Sequence, residues 1–119
     1  MLTYRHLGVW KDGDITVVRF GDHRILDEVA IDKIGEELYA VASQEKCQKL
    51  LLNFAGVERL STLMLGKLLM LNRKMQSKGG QLKLCDVDPQ VRDVLASTRL
   101  DQILEICENE ADARRSFAT

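Results

Sequence analysis

Two adjacent hydroxyls, Ser61 and Thr62, sit in the stretch VERLSTLMLGKLLML (57–71), at the joint between a strand end and an apolar run with helical spacing. Ser or Thr at such a joint has two uses. Its oxygen can accept a hydrogen bond from a backbone N–H left free in the first turn of a helix. It can instead accept a phosphoryl group, which would meet the positive end of the helix dipole while adding about −1.5 to −2 charge to the surface.

Other reactive residue types are poorly placed. His6 is expected in the first strand and His23 in a loop, and neither has a nucleophile beside it. Gly56 and Gly66 are too far apart for a phosphate-cradling loop, and Leu68 stands where Ser or Thr would hold magnesium. Asp88 precedes Pro89 and reads as a helix cap, which leaves Asp86 alone at a strand end. Cys47, Cys85 and Cys107 are scattered, odd in number and set in apolar runs, as small core residues are. The expectation is a protein without catalytic residues, metal site or cofactor.

The elements that hold Ser61 and Thr62 can be read from spacing. Two β-prone runs flank KDGD in residues 4–20, and Asp12-Gly13 is expected to give the positive-φ positions of a tight hairpin. Residues 25–43 change to a helical period, with Ile31, Ile34, Leu38 and Val41 on one side. KLLLNF (49–54) reads as a buried strand, and a helix follows from Thr62 or Leu63 to the glycine pair at 79–80. A strand at 81–87, a helix opened by Asp88, a strand over 101–107 and a last helix capped by Asn109 complete the chain. The order β-β-α-β-α-β-α-β-α predicts one α/β domain over 1–119, a mixed sheet beginning with an antiparallel hairpin and flanked by helices.

The helix after Ser61 has two sides. Met64, Leu68, Leu71 and Met75, widened by Leu65 and Leu69, form an apolar stripe suited to a core. Thr62, Gly66, Met70, Arg73 and Ser77 fall opposite, where a glycine beside an apolar methionine permits close approach of a partner.

Composition narrows the partner class. The chain has 119 residues, with 17 Lys and Arg against 18 Asp and Glu, so no basic excess asks for nucleic acid or an anionic membrane. No long apolar segment predicts a membrane span or signal peptide, and unpaired cysteines suit a reducing cytoplasm.

The ordered series LLLNFAGVERLSTLMLGKLLML, KGGQLKLCDVDPQVRDVLASTRL and DQILEICENEADA resembles a STAS domain of the anti-sigma-factor antagonist type over nearly the whole chain. The resemblance implies action by protein binding. Such antagonists bind an anti-sigma factor that is also a protein kinase, which frees the sigma factor until phosphorylation of the antagonist ends binding. The family pattern Asp-Ser-Ser-Gly-Leu-Gly aligns with Ser61-Thr62-Leu63-Met64-Leu65-Gly66. Thr62 thus takes the phosphoacceptor position, and Ser61, in place of the acid, is a substitute acceptor. Leu63 and Met64 replace the second serine and first glycine, and Arg99 stands where the family's Thr-Gly-Leu has glycine. The implied partner surface is Ser61, Thr62, Leu63, Gly66, Met70 and Arg73. Its expected partner is a kinase-type anti-sigma factor, or other STAS proteins or the chain itself. The alternative left open is a STAS scaffold subunit of a larger signalling assembly that is not itself switched.

Overall fold

The computed structural model describes residues 4–118. β1 (Leu7–Asp12) and β2 (Ile15–Phe20) form the antiparallel hairpin, with Leu7 opposite Phe20 and Asp12 opposite Ile15. Gly13 alone in this turn has positive φ, at 63°, so Asp12 stays in the strand and the expectation of two left-handed positions is corrected. His6 lies just before β1 rather than in it. Its backbone N–H donates to the Glu37 carboxylate at 3.0 Å.

α1 (Glu28–Ala42) starts at Asp27, whose carboxylate accepts from Ala30 N, and buries Ile31, Ile34, Leu38 and Val41 as their spacing predicts. β4 (Lys49–Asn53) and β6 (Gln81–Cys85) are short apolar strands, and α2 (Thr62–Ser77) runs between them. α3 (Pro89–Ser97) is capped by Asp88, and α4 (Glu110–Phe117) by Asn109. The final strand, β7, is only Glu105–Cys107, because Leu100–Gln102 winds into a 3₁₀ turn. That turn follows Arg99, held at φ 61° where the resemblance calls for glycine.

The main sheet has the order β1-β2-β4-β6-β7, antiparallel at the hairpin and parallel elsewhere. Side chains alternate across it. One face, with Val18, Leu50, Leu52 and Leu84, packs against α1, α2 and α3. The other, with Val17, Leu51 and Cys85, is covered by Ala113 and Phe117 of α4. A second, two-stranded parallel ribbon had no counterpart in the sequence reading. It pairs β3 (Arg24–Ile25) with β5 (Arg59–Leu60).

Thr16 is 1% exposed in β2, and its hydroxyl is one of two buried side-chain polar atoms without a hydrogen-bond partner among the described residues. Leaving a hydroxyl unsatisfied in an apolar core costs about 1–3 kcal/mol. Thr16→Val keeps the shape and removes the hydroxyl, so it is expected to raise the unfolding free energy by about 0.5–1.5 kcal/mol in urea titration. A decrease would mean that the hydroxyl is paired in solution.

Candidate functional site

The backbone delivers Ser61 and Thr62 to the protein surface through three links. Phe54 N donates to Cys85 O at 3.0 Å as β4 ends, and Val57 N returns to Phe54 O at 2.9 Å across a turn where Gly56 has φ 86°. Leu60 then pairs with Ile25, and Ser61 N donates to Ile25 O at 3.0 Å. The ribbon of β3 and β5 therefore fixes the entry to α2. Arg24 and Arg59 lie opposite each other in it, and both are exposed.

Ser61 occupies the N-cap position with extended backbone, φ −80° and ψ 159°. Its side chain makes no capping bond, which corrects the expectation that it caps α2. Its carbonyl accepts from Met64 N at 3.1 Å, while its Oγ is buried with no hydrogen-bond partner among the described residues. Thr62 is the first helical residue and is exposed. The two neighbours thus differ in access: Thr62 is an exposed residue, whereas the Ser61 oxygen is buried.

From Thr62 the exposed side of α2 carries Leu63, Gly66, Met70, Arg73 and Ser77, while Met64, Leu65, Leu68, Leu71 and Met75 are buried. Leu63 is 42% exposed and Met70 60%, large values for apolar side chains on a small domain. Gly66 has open space where a Cβ would stand. α2 contains Lys67, Arg73 and Lys74 and no acidic residue, so the helix dipole and its side chains both leave the Thr62 end without a negative charge.

The neighbouring helix contributes residues that the sequence reading did not assign to a site. A groove of about 530 Å³ runs between α1 and α2, lined on one side by Asp32, Glu36 and Tyr39 and on the other by Lys67 and Met70. Lys67 Nζ is 3.3 Å from the Asp32 carboxylate, and Lys74 Nζ is 5.3 Å from the centre of the Tyr39 ring. The signal was present: Val29, Asp32, Glu36 and Tyr39 fall on one stripe of α1, outside its core side.

The remaining candidates are structural. Asp86 has φ 55°, and its N–H donates to Glu108 O at 3.2 Å where β6 turns away. His23 Nδ1 lies 2.9 Å from Gly56 O, and His6 Nδ1 lies 3.2 Å from Asp22, with no nucleophile between them. Burial pushes the Cys85 thiol far above its ordinary pKa, Asp86 adding to the effect, and burial also raises Cys107, so neither is poised as a thiolate. Lys83 is buried in β6, paired with Glu105 and bonded to Ser116, its Nζ 5.0 Å from the centre of the Phe117 ring. No group of three or more His, Cys, Asp or Glu among the described residues could hold a metal, and none of the described helices is long and apolar enough to cross a membrane.

Comparison with known proteins agrees with this architecture. A family model described as STAS domain matches residues 9–113. An anti-sigma F factor antagonist of Paenibacillus polymyxa is 26% identical over 88 residues, which is 74% of this chain and 75% of that protein. The structure of an anti-sigma-factor antagonist (STAS) domain protein from Planctomyces limnophilus superposes with a TM-score of 0.85 at 21% identity, covering 95% of this chain and 98% of the other. The Bacillus cell fate determinant SpoIIAA, solved in a phosphorylated form, superposes with a TM-score of 0.69 at 17% identity, covering 92% and 98%.

Proposed function

The chain belongs to the STAS domain family, and on that premise we propose that it is a cytoplasmic regulatory binding protein of the anti-sigma-factor antagonist type. It acts by docking, through Thr62, Leu63, Gly66, Met70 and Arg73, onto a kinase-type anti-sigma factor. Phosphorylation of Thr62 by that partner ends the complex. Ser61 shapes the same surface through its backbone.

The observation that carries this reading is the contrast between an exposed Thr62 and a buried Ser61 oxygen. Thr62 is exposed at the first position of α2, beside free backbone N–H groups and the apolar Leu63 and Met70, while the Ser61 oxygen is buried. A phosphate on Thr62 is tolerated by the fold because it meets a positive helix end. It is not tolerated by a partner packed over the same turn, because about two negative charges must then be buried or expelled.

The test has two steps. The folded chain is used to capture partners from native lysate, and a captured kinase-type anti-sigma factor is incubated with it and ATP. Intact-mass and peptide analysis are expected to place one phosphate on Thr62 and none on Ser61, with release of the complex. A captured kinase that leaves Thr62 unmodified, or a phosphorylated chain that stays bound, would sink the switch and favour a constitutive STAS scaffold.

A further inference from the structure

The outward sides of α1 and α2 form one surface whose halves carry opposite charge. Val29, Asp32, Glu36 and Tyr39 follow one another along α1 at three- and four-residue steps, and Leu63, Lys67, Met70 and Lys74 do the same along α2, with Arg73 adjoining. One rim of the groove is thus acidic and the other basic, and the apolar content is unusually open: Val29 is 67% exposed and Tyr39 47%. The Tyr39–Lys74 contact lies seven residues beyond the Asp32–Lys67 pair along both helices, so α1 and α2 run parallel and in step. Asp32 and Lys67 neutralise each other within the chain. Glu36 and Arg73 do not: among the described residues neither has an ion-pair or hydrogen-bond partner.

We propose that this surface is a self-association face, closed by a second copy of the chain about a two-fold axis that runs along the groove. Rotation about an axis parallel to the helices keeps every residue at its own height and exchanges the two sides. Each α1 then lies over the α2 of the other copy, pointing the same way. Glu36 comes within about 3 Å of rise of Arg73 in the second copy, from the 1.5 Å rise per residue. Val29 comes level with Leu63, and Tyr39 level with Lys74. The two unpaired charges find each other twice, once on either side of the axis. A second copy is the occupant argued for because this chain itself supplies the complement of each rim. Its net charge of −1 also offers little long-range repulsion between copies.

The face shares Leu63, Met70 and Arg73 with the partner surface proposed above but does not rest on that reading. It adds a consequence: a dimer covers those residues, so self-association and partner capture compete.

Sedimentation velocity on the purified full chain tests the geometry without any partner. At about 20 mM salt, where screening is weak, the wild type is expected to dimerise in the micromolar range and to weaken at about 0.5 M salt. Glu36→Lys and Arg73→Glu each place like charges opposite one another twice, and each is expected to weaken self-association at least about tenfold. An equimolar mixture of the two restores opposite charges at both contacts and is expected to dimerise as the wild type does. Met70→Glu, with no complementary variant in the mixture, is expected to stay monomeric throughout. Thermal melts by circular dichroism accompany each variant, and because all three side chains are exposed they are expected to match the wild type. A wild type that stays monomeric at about 1 mM overturns the proposal, even if it binds a kinase-type partner through the same residues. So does dimerisation undiminished in both charge variants, which would put the interface elsewhere. A mixture of well-folded variants that stays monomeric overturns it too.

Discussion

Phe54→Ala is expected to lower the unfolding free energy by about 3–5 kcal/mol, the range for truncating a buried aromatic side chain. For a domain of this size, total stability is about 5–15 kcal/mol, so the loss is a large share of the whole. Phe54 is 1% exposed, and its ring centre lies 4.7 Å from that of Phe20 at an interplanar angle of 35°. Contacts of this kind contribute about 0.5–1.5 kcal/mol beyond area burial. The residue also anchors the loop into β5, with its N–H on Cys85 O and its carbonyl accepting from Val57. Both its packing and its position therefore bear on where α2 begins. Urea titration followed by circular dichroism measures the loss. A decrease under about 1 kcal/mol would mean that the cavity collapses and that the loop is held by its backbone bonds alone.

Thr62→Glu is expected to weaken binding of the proposed kinase-type partner by about 10–100-fold while leaving the fold intact, an effect of about 1.4–2.7 kcal/mol. The two halves of that expectation have separate causes. A carboxylate in the first turn of a helix is favourable by about 0.3–1 kcal/mol, and α2 has no acid there to oppose it. Against a docked partner the same carboxylate must lose water beside Leu63 and Met70 without gaining a cation from its own turn. Thr62→Ala adds no charge and is expected to cost less than about 1 kcal/mol of affinity, as most truncations at an interface do. Calorimetric titration of the partner with the three proteins, beside their melting curves, measures both halves. Equal affinity for the wild type and Thr62→Glu, with matching melts, would reduce Thr62 to an ordinary first-turn residue.

The parts of the fold that repeat were legible in the sequence, because burial imposes a period. The stripes of α1 and α2 and the caps Asp88 and Asn109 all lie where spacing and cap chemistry put them. β3 and β5 were not legible, since a two-residue strand has no period and its only apolar marks are single residues, Ile25 and Leu60. The shortened β7 has a similar cause. Leu100 and Leu104 are both buried, but a 3₁₀ turn rather than extended chain brings them inward. Of the candidate site, the exposed face of α2 followed from the 3.6-residue period. The turn of the Ser61 oxygen away from solvent did not, because it depends on β3, which lies more than 30 residues earlier in the chain. Asp32, Glu36 and Tyr39 join that face only once α1 and α2 are set side by side.

The sheet order has a consequence for how the protein is made. Strands β2, β4, β6 and β7 lie across the sheet in the order in which the ribosome releases them, with the β1–β2 hairpin first. Each main-sheet strand therefore finds its neighbour already synthesised, and none has to be threaded between two earlier ones. At synthesis rates of about 5–20 residues per second, far slower than the microsecond formation of hairpins and helices, the domain can grow outward from its first hairpin one strand at a time. α4 comes last and covers the second face, so Ile15, Val17, Leu51 and Cys85 wait for its shelter during translation, Ile15 the longest.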